Sequence, residues 1–108
     1  MNKFKLLLIL ILFLSCSDNI EEISENKGLF YQTVLFDGLS RSYILYIPSS
    51  YDENENSPIL FNLHGGSGTA EEQMNYVSDM RNISDNENFI LVYPQAHSDS
   101  NGIPIWNL

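Results

Sequence analysis

The chain has 108 residues, enough for one small domain. Five basic residues stand against 14 acidic ones, a net charge of −9. That balance sets nucleic acid aside as a partner, because phosphate binding needs clustered Lys and Arg. A composition 44% hydrophobic and 12% aromatic belongs to a globular chain, and a single cysteine leaves no internal disulfide framework and no cysteine-rich zinc site.

Residues 1–15 read as a signal peptide. Lys3 and Lys5 precede nine unbroken apolar residues, 6–14. Nine helical residues span about 14 Å, well short of the ~30 Å hydrocarbon core of a bilayer. A charged start, a short apolar run and the small residue Ser15 form an export pattern. Leu14-Ser15-Cys16 resembles the lipobox of bacterial lipoproteins, with Phe13 where that family favours Leu. The resemblance implies that Cys16 is lipidated and becomes the mature N-terminus, held on a membrane by its acyl chains. A plain signal peptide with an incidental cysteine and a buried N-terminal helix are the alternatives. Residues 16–28 then form a flexible linker, acidic and poor in apolar spacing. Its acids, Asp18 and the Glu21-Glu22 pair, also resemble the surface-export signal of some lipoproteins.

Residues 29–108 read as an α/β domain. Residues 29–36 and 42–47 are rich in aromatic and β-branched side chains and flank Asp37-Gly38, which predicts an antiparallel hairpin with Arg41 near the start of its second strand. After a polar loop around Tyr51, residues 58–63 (Pro-Ile-Leu-Phe-Asn-Leu) are nearly continuous in apolar character, which predicts a strand buried on both faces. His-Gly-Gly-Ser-Gly at 64–68 breaks it. Thr69 with Glu72 is a capping box, so a helix starts there, with Met74, Val77, Met80 and Ile83 as its apolar stripe and Asn86 to Asn88 as its end. Residues 89–93 form a further strand, stopped by Pro94. Asn82-Ile-Ser84 matches a glycosylation sequon, which on a helix of an exported bacterial-type chain is a chance match. The order of elements predicts a sheet that opens antiparallel and continues mostly parallel, with a flanking helix.

The glycine loop carries the chemistry. A strand running through a glycine loop into a capped helix presents backbone N–H groups suited to negative charge, either a phosphate or the oxyanion of acyl transfer. No Lys follows the glycines as a Walker loop needs, and Gly66 and Gly68 are not followed by the third glycine of a dinucleotide fingerprint. The oxyanion chemistry fits better, with Gly65 and Gly66 leaving the backbone open to close approach.

The Leu63-His-Gly-Gly-Ser-Gly68 run, the Phe89-Ile-Leu-Val-Tyr-Pro-Gln95 strand, Trp106-Asn107 and Arg41-Ser-Tyr-Ile-Leu-Tyr-Ile-Pro48 together resemble extracellular α/β-hydrolases of the polyhydroxybutyrate depolymerase and feruloyl esterase group. The resemblance implies the N-terminal portion of an α/β-hydrolase fold and a serine ester hydrolase without a cofactor or metal. Its oxyanion hole is made by backbone N–H groups at Gly66 and Ser67, with His64, Gly65 and Gly68 shaping the loop. The implied substrate is a polymeric or plant-derived aromatic ester. Such enzymes carry Ser, Asp and His in that order, the serine in a Gly-x-Ser-x-Gly elbow. No elbow occurs in these residues, and Gly65-Gly-Ser-Gly-Thr69 fails at its last position. None of the triad is therefore expected here: Ser67 is a poor nucleophile candidate, and His97 beside Asp99 reads as a surface histidine. Two histidines without short spacing make a weak metal pair. The expectation is a truncated, inactive N-terminal fragment of such a hydrolase. A surface-anchored binding module using Tyr93 and Trp106 on sugar or polymer, and a prolyl-oligopeptidase-like peptidase fragment, are the alternatives.

Overall fold

The computed structural model describes residues 26–106. The expected signal peptide, Cys16, the acidic run up to Glu25 and Asn107 lie outside the described residues. Four strands form one mixed sheet: β1 (Gly28–Phe36), β2 (Leu39–Ile47), β3 (Ile59–Phe61) and β4 (Ile90–Pro94), in the spatial order β1-β2-β4-β3. Two short helices, α1 (Ala70–Glu72), continued by a π-helical turn over Gln73–Val77, and α2 (Arg81–Glu87), lie between β3 and β4. The architecture is a small α/β fold. Among the described residues no helix is long and apolar enough to cross a membrane.

The hairpin forms where the sequence places it. Asp37 and Gly38 both take positive φ, 50° and 72°, the pair of left-handed conformations that matches the twist of a two-residue hairpin. Nine residue pairs follow in register, from Phe36↔Leu39 to Gly28↔Ile47. β1 begins at Gly28, one residue inside the expected linker, and Lys27 beside it donates from Nζ to the Ser49 carbonyl at 2.9 Å. β2 also pairs antiparallel with β4, and β4 pairs parallel with β3. The sheet therefore opens antiparallel and turns parallel only at its far side.

The core lies between the sheet and the helices. Ile44, Leu91 and Tyr93 point from the sheet into Ala70 and Met74, with Tyr46, Leu60, Met80 and Phe89 at the margin. Met74, Leu91 and Tyr93 are essentially inaccessible, and burial of side chains this size stabilises by roughly 1.5–3 kcal/mol each. Alternation along β4 explains the choice: Leu91 and Tyr93 face the helices while Ile90 and Val92 face the other side.

Two expectations need correcting. β3 is not buried on both faces; it is the edge strand, and Ile59 and Phe61 are 57% and 62% exposed. An apolar run shows that a strand can be buried on both faces but cannot say whether cover is present. The single helix is in fact two. Ser78 N–H donates to the Gln73 carbonyl five residues back, at 2.8 Å, and the chain then leaves the helix. The extra residue in that turn rotates the apolar stripe: Met74 stays buried, but Val77 is 71% exposed and Ile83 49%.

The break is held by polar side chains. Tyr93 OH donates to the Ser78 carbonyl at 3.1 Å and accepts from Met80 N–H at 3.3 Å. Asn62 donates from Nδ2 to the Ser78 carbonyl at 3.2 Å and accepts from Gln73 Nε2 at 2.9 Å. The Asp79 carboxylate accepts from Arg81 N–H at 3.1 Å and pairs with its guanidinium at 2.6 Å, which starts α2. That contact holds the Asp79 carboxyl below its ordinary pKa. α2 ends at Asn88, whose φ of 52° is left-handed, at the end of the stretch expected to stop the helix. Asp85 ties α2 to β2, accepting from Ser49 N–H at 2.8 Å and Tyr46 OH at 2.9 Å.

Candidate functional site

The glycine loop leaves the sheet at the carboxyl end of β3, where parallel strands direct their loops into a crevice that can hold a ligand. Asn62 N–H donates to the Val92 carbonyl at 2.9 Å and closes the last rung of the parallel pair. His64 follows, 4% exposed. Gly68 N–H donates to the Gly65 carbonyl at 3.1 Å, so residues 65–68 form a tight turn. Ser67, third in that turn, has a φ of 64°, the left-handed conformation a type II turn requires there and one that strains a non-glycine residue.

His64 is locked by its surroundings. Its Nε2 accepts from Ala96 N–H at 3.0 Å, so that nitrogen carries no proton. Nδ1 lies 2.7 Å from the Gly65 carbonyl, which can only accept, so Nδ1 is the donor. Gln95 Nε2 lies 3.3 Å from Nε2, and Gln95 Oε1 accepts from Ala70 N–H at 2.9 Å, joining the start of α1 to the same cluster. Trp106 packs against the imidazole in a tilted arrangement, ring centres 4.7 Å apart and planes at 35°, and donates from Nε1 to the His64 carbonyl at 2.8 Å. With both ring nitrogens engaged, His64 can neither relay protons nor ligate a metal in this arrangement; it ties the β3 loop to the β4 loop.

The loop after β4 supplies the second half. Asp99 folds it by accepting from Asn101 N–H at 2.8 Å and Ile103 N–H at 2.9 Å, contacts that hold its carboxyl below the ordinary pKa. The loop then returns Pro104 and Trp106 onto the glycines. His97 is exposed and Asp99 is occupied by backbone, so the two do not form a catalytic pair here.

Of the two expected oxyanion donors, the structure leaves one. Ser67 N–H donates to the Pro104 carbonyl at 3.1 Å and is not available. The sequence could not show this, because the partner lies 37 residues downstream and arrives only through the folded loop. Gly66 N–H makes no hydrogen bond among the described residues, and neither does Gly65 N–H. The glycines also differ in what they need. A Cβ at Gly68 would come within 3.2 Å of the Gly65 carbonyl, whereas at Gly65 and Gly66 it would meet nothing within 4 Å. Gly68 packs tightly against the loop's own backbone; Gly65 and Gly66 face a depression of about 460 Å³ walled by Tyr76 and Val77.

The capping box forms as expected: Thr69 Oγ1 accepts from Glu72 N–H and Glu72 Oε2 accepts from Thr69 N–H, both at 3.1 Å. Glu72 borders the depression, but its carboxylate is turned back on Thr69. Among the described residues no cluster of three metal-ligating side chains occurs. Asn62, Tyr93 and Gln95 position the loop and the helix without having been singled out for that role. The available signals were a polar residue inside an apolar run for Asn62 and a polar residue just past a strand end for Gln95. No protein-family model matches the chain, and no curated protein matches it.

Proposed function

We propose that the chain carries the opening sheet and oxyanion loop of an exported, lipid-anchored serine ester hydrolase resembling the polyhydroxybutyrate depolymerase and feruloyl esterase group. The observation that carries this reading is the pair Gly65-Gly66. Both lie past the carboxyl end of a parallel strand with N–H groups unbonded among the described residues, and both face open space that the fold itself does not require to be empty. Attack on an ester carbonyl moves negative charge onto its oxygen, and an N–H held 2.7–3.1 Å from that oxygen stabilises the tetrahedral intermediate. Gly66 N–H fills that role in this reading; His64 holds the loop at the correct height and Ser67 turns it. The antiparallel opening followed by a parallel pair also supports the assignment. The nucleophile, acid and base lie outside these residues in this reading, since no Gly-x-Ser-x-Gly occurs among them. Cys16, outside the described residues, anchors the protein to a membrane.

The reading is tested by following the reading frame past Leu108. A Gly-x-Ser-x-Gly elbow is expected, with p-nitrophenyl ester hydrolysis by the extended protein and none by the 108-residue chain. In the extended enzyme Gly66→Pro removes the donor at the turn position where Pro is favoured, and kcat falls about 10²–10³-fold. An extension without an elbow, or turnover indifferent to Gly66→Pro, refutes the proposal.

A further inference from the structure

We infer that the groove on the Trp106 side of the β4 loop binds a small carboxylic acid with an aromatic body, and that Arg41 is the carboxylate's partner. The described residues contain three Lys or Arg side chains, and two are engaged: Lys27 on the Ser49 carbonyl and Arg81 on Asp79. Arg41 has neither an acid nor a hydrogen-bond partner among the described residues, although the chain carries 14 acids. It sits half-buried on β2, directly across from Val34 of β1 and on the same face as Tyr43. Together with Phe36, Ile105 and Trp106 these residues wall a depression of about 400 Å³, and no carboxylate among the described residues borders it.

Each part selects a feature of the ligand. A guanidinium beside apolar walls attracts an anion more strongly than one in open water, and its planar fork matches a carboxylate in two parallel hydrogen bonds. The Phe36, Tyr43 and Trp106 rings favour a flat apolar body against their faces. A volume of about 400 Å³ lies at the lower end of the range for small-molecule sites, which suits one ring with a short chain. The inference concerns binding by this chain alone and does not depend on ester cleavage.

Trp106 is the only tryptophan of the chain, so its fluorescence reports on the groove directly. The purified full chain is titrated with phenylacetate, with the neutral isostere phenylacetamide, and with inorganic phosphate. Phenylacetate is expected to give a saturable change, with phenylacetamide at least tenfold weaker and phosphate without effect. Arg41→Gln lowers phenylacetate affinity at least tenfold while its far-UV circular dichroism matches the parent. Should that variant fail to fold, the acid-to-amide ratio on the parent decides alone. Equal binding of acid and amide overturns the role of Arg41, phosphate binding as tight as phenylacetate overturns the aromatic body, and no saturable response overturns the site.

Discussion

Replacing Asn62 by Leu separates two accounts of β3. If the apolar run at 58–63 were simply a strand buried on both faces, a leucine at its one polar position would be neutral or stabilising. In the structure Asn62 makes three side-chain hydrogen bonds: from Nδ2 to the Ser78 carbonyl at 3.2 Å and to Ser78 Oγ at 3.1 Å, and from Gln73 Nε2 at 2.9 Å. Each is worth about 0.5–1.5 kcal/mol net. The Ser78 carbonyl keeps its Tyr93 partner and the other two groups can reach water, which trims the loss to about 2 kcal/mol. Half-burial of the leucine returns about 0.5–1 kcal/mol. Asn62→Leu should therefore destabilise by about 1–1.5 kcal/mol, lowering Tm by roughly 4–12 °C in a domain of this size. Urea and thermal unfolding followed by circular dichroism measure both. A variant as stable as the parent, or more so, refutes the claim that this network holds the helix break.

The glycines of the loop divide by the same reasoning. Gly68→Ala forces its Cβ to 3.2 Å from the Gly65 carbonyl and should cost about 1–2 kcal/mol, whereas Gly65→Ala and Gly66→Ala should stay within about 0.5 kcal/mol of the parent in urea unfolding. Equal effects at all three positions would contradict the packing described for the loop. Asp85 gives a pH signature. Hydrogen bonds from Ser49 N–H and then from Tyr46 OH hold its carboxyl below the ordinary value of 3.8. A carboxyl whose folded pKa is depressed contributes its full stability above the unfolded value and loses it as pH falls through the folded one. The stability gap between the parent and Asp85→Asn should therefore be constant from pH 5 to 7 and shrink as pH drops below about 4. A gap that does not change in acid would show that Asp85 does not act as a charged acceptor.

The sequence by itself determined the features that depend on near neighbours. Asp37-Gly38 set the hairpin because only a left-handed pair matches the strand twist, and Thr69 with Glu72 set the start of α1 because both partners lie within one turn. The order of the strands along the chain, and a backbone left open to close approach at Gly65 and Gly66, followed from the same local chemistry. The tertiary structure decided whatever required a distant partner. β3 became an exposed edge because β4, later in sequence, settled between it and β2. The helix divided because Tyr93 on β4 and Asn62 just past β3 both bond the backbone of residues 78–80. Ser67 lost its place as a donor to a carbonyl at Pro104, and His64 became a fixed tie once Ala96 and Trp106 closed on it. Local propensity reaches about one turn along the chain. Beyond that, packing and hydrogen-bond satisfaction choose which of the sequence's polar and apolar groups are joined.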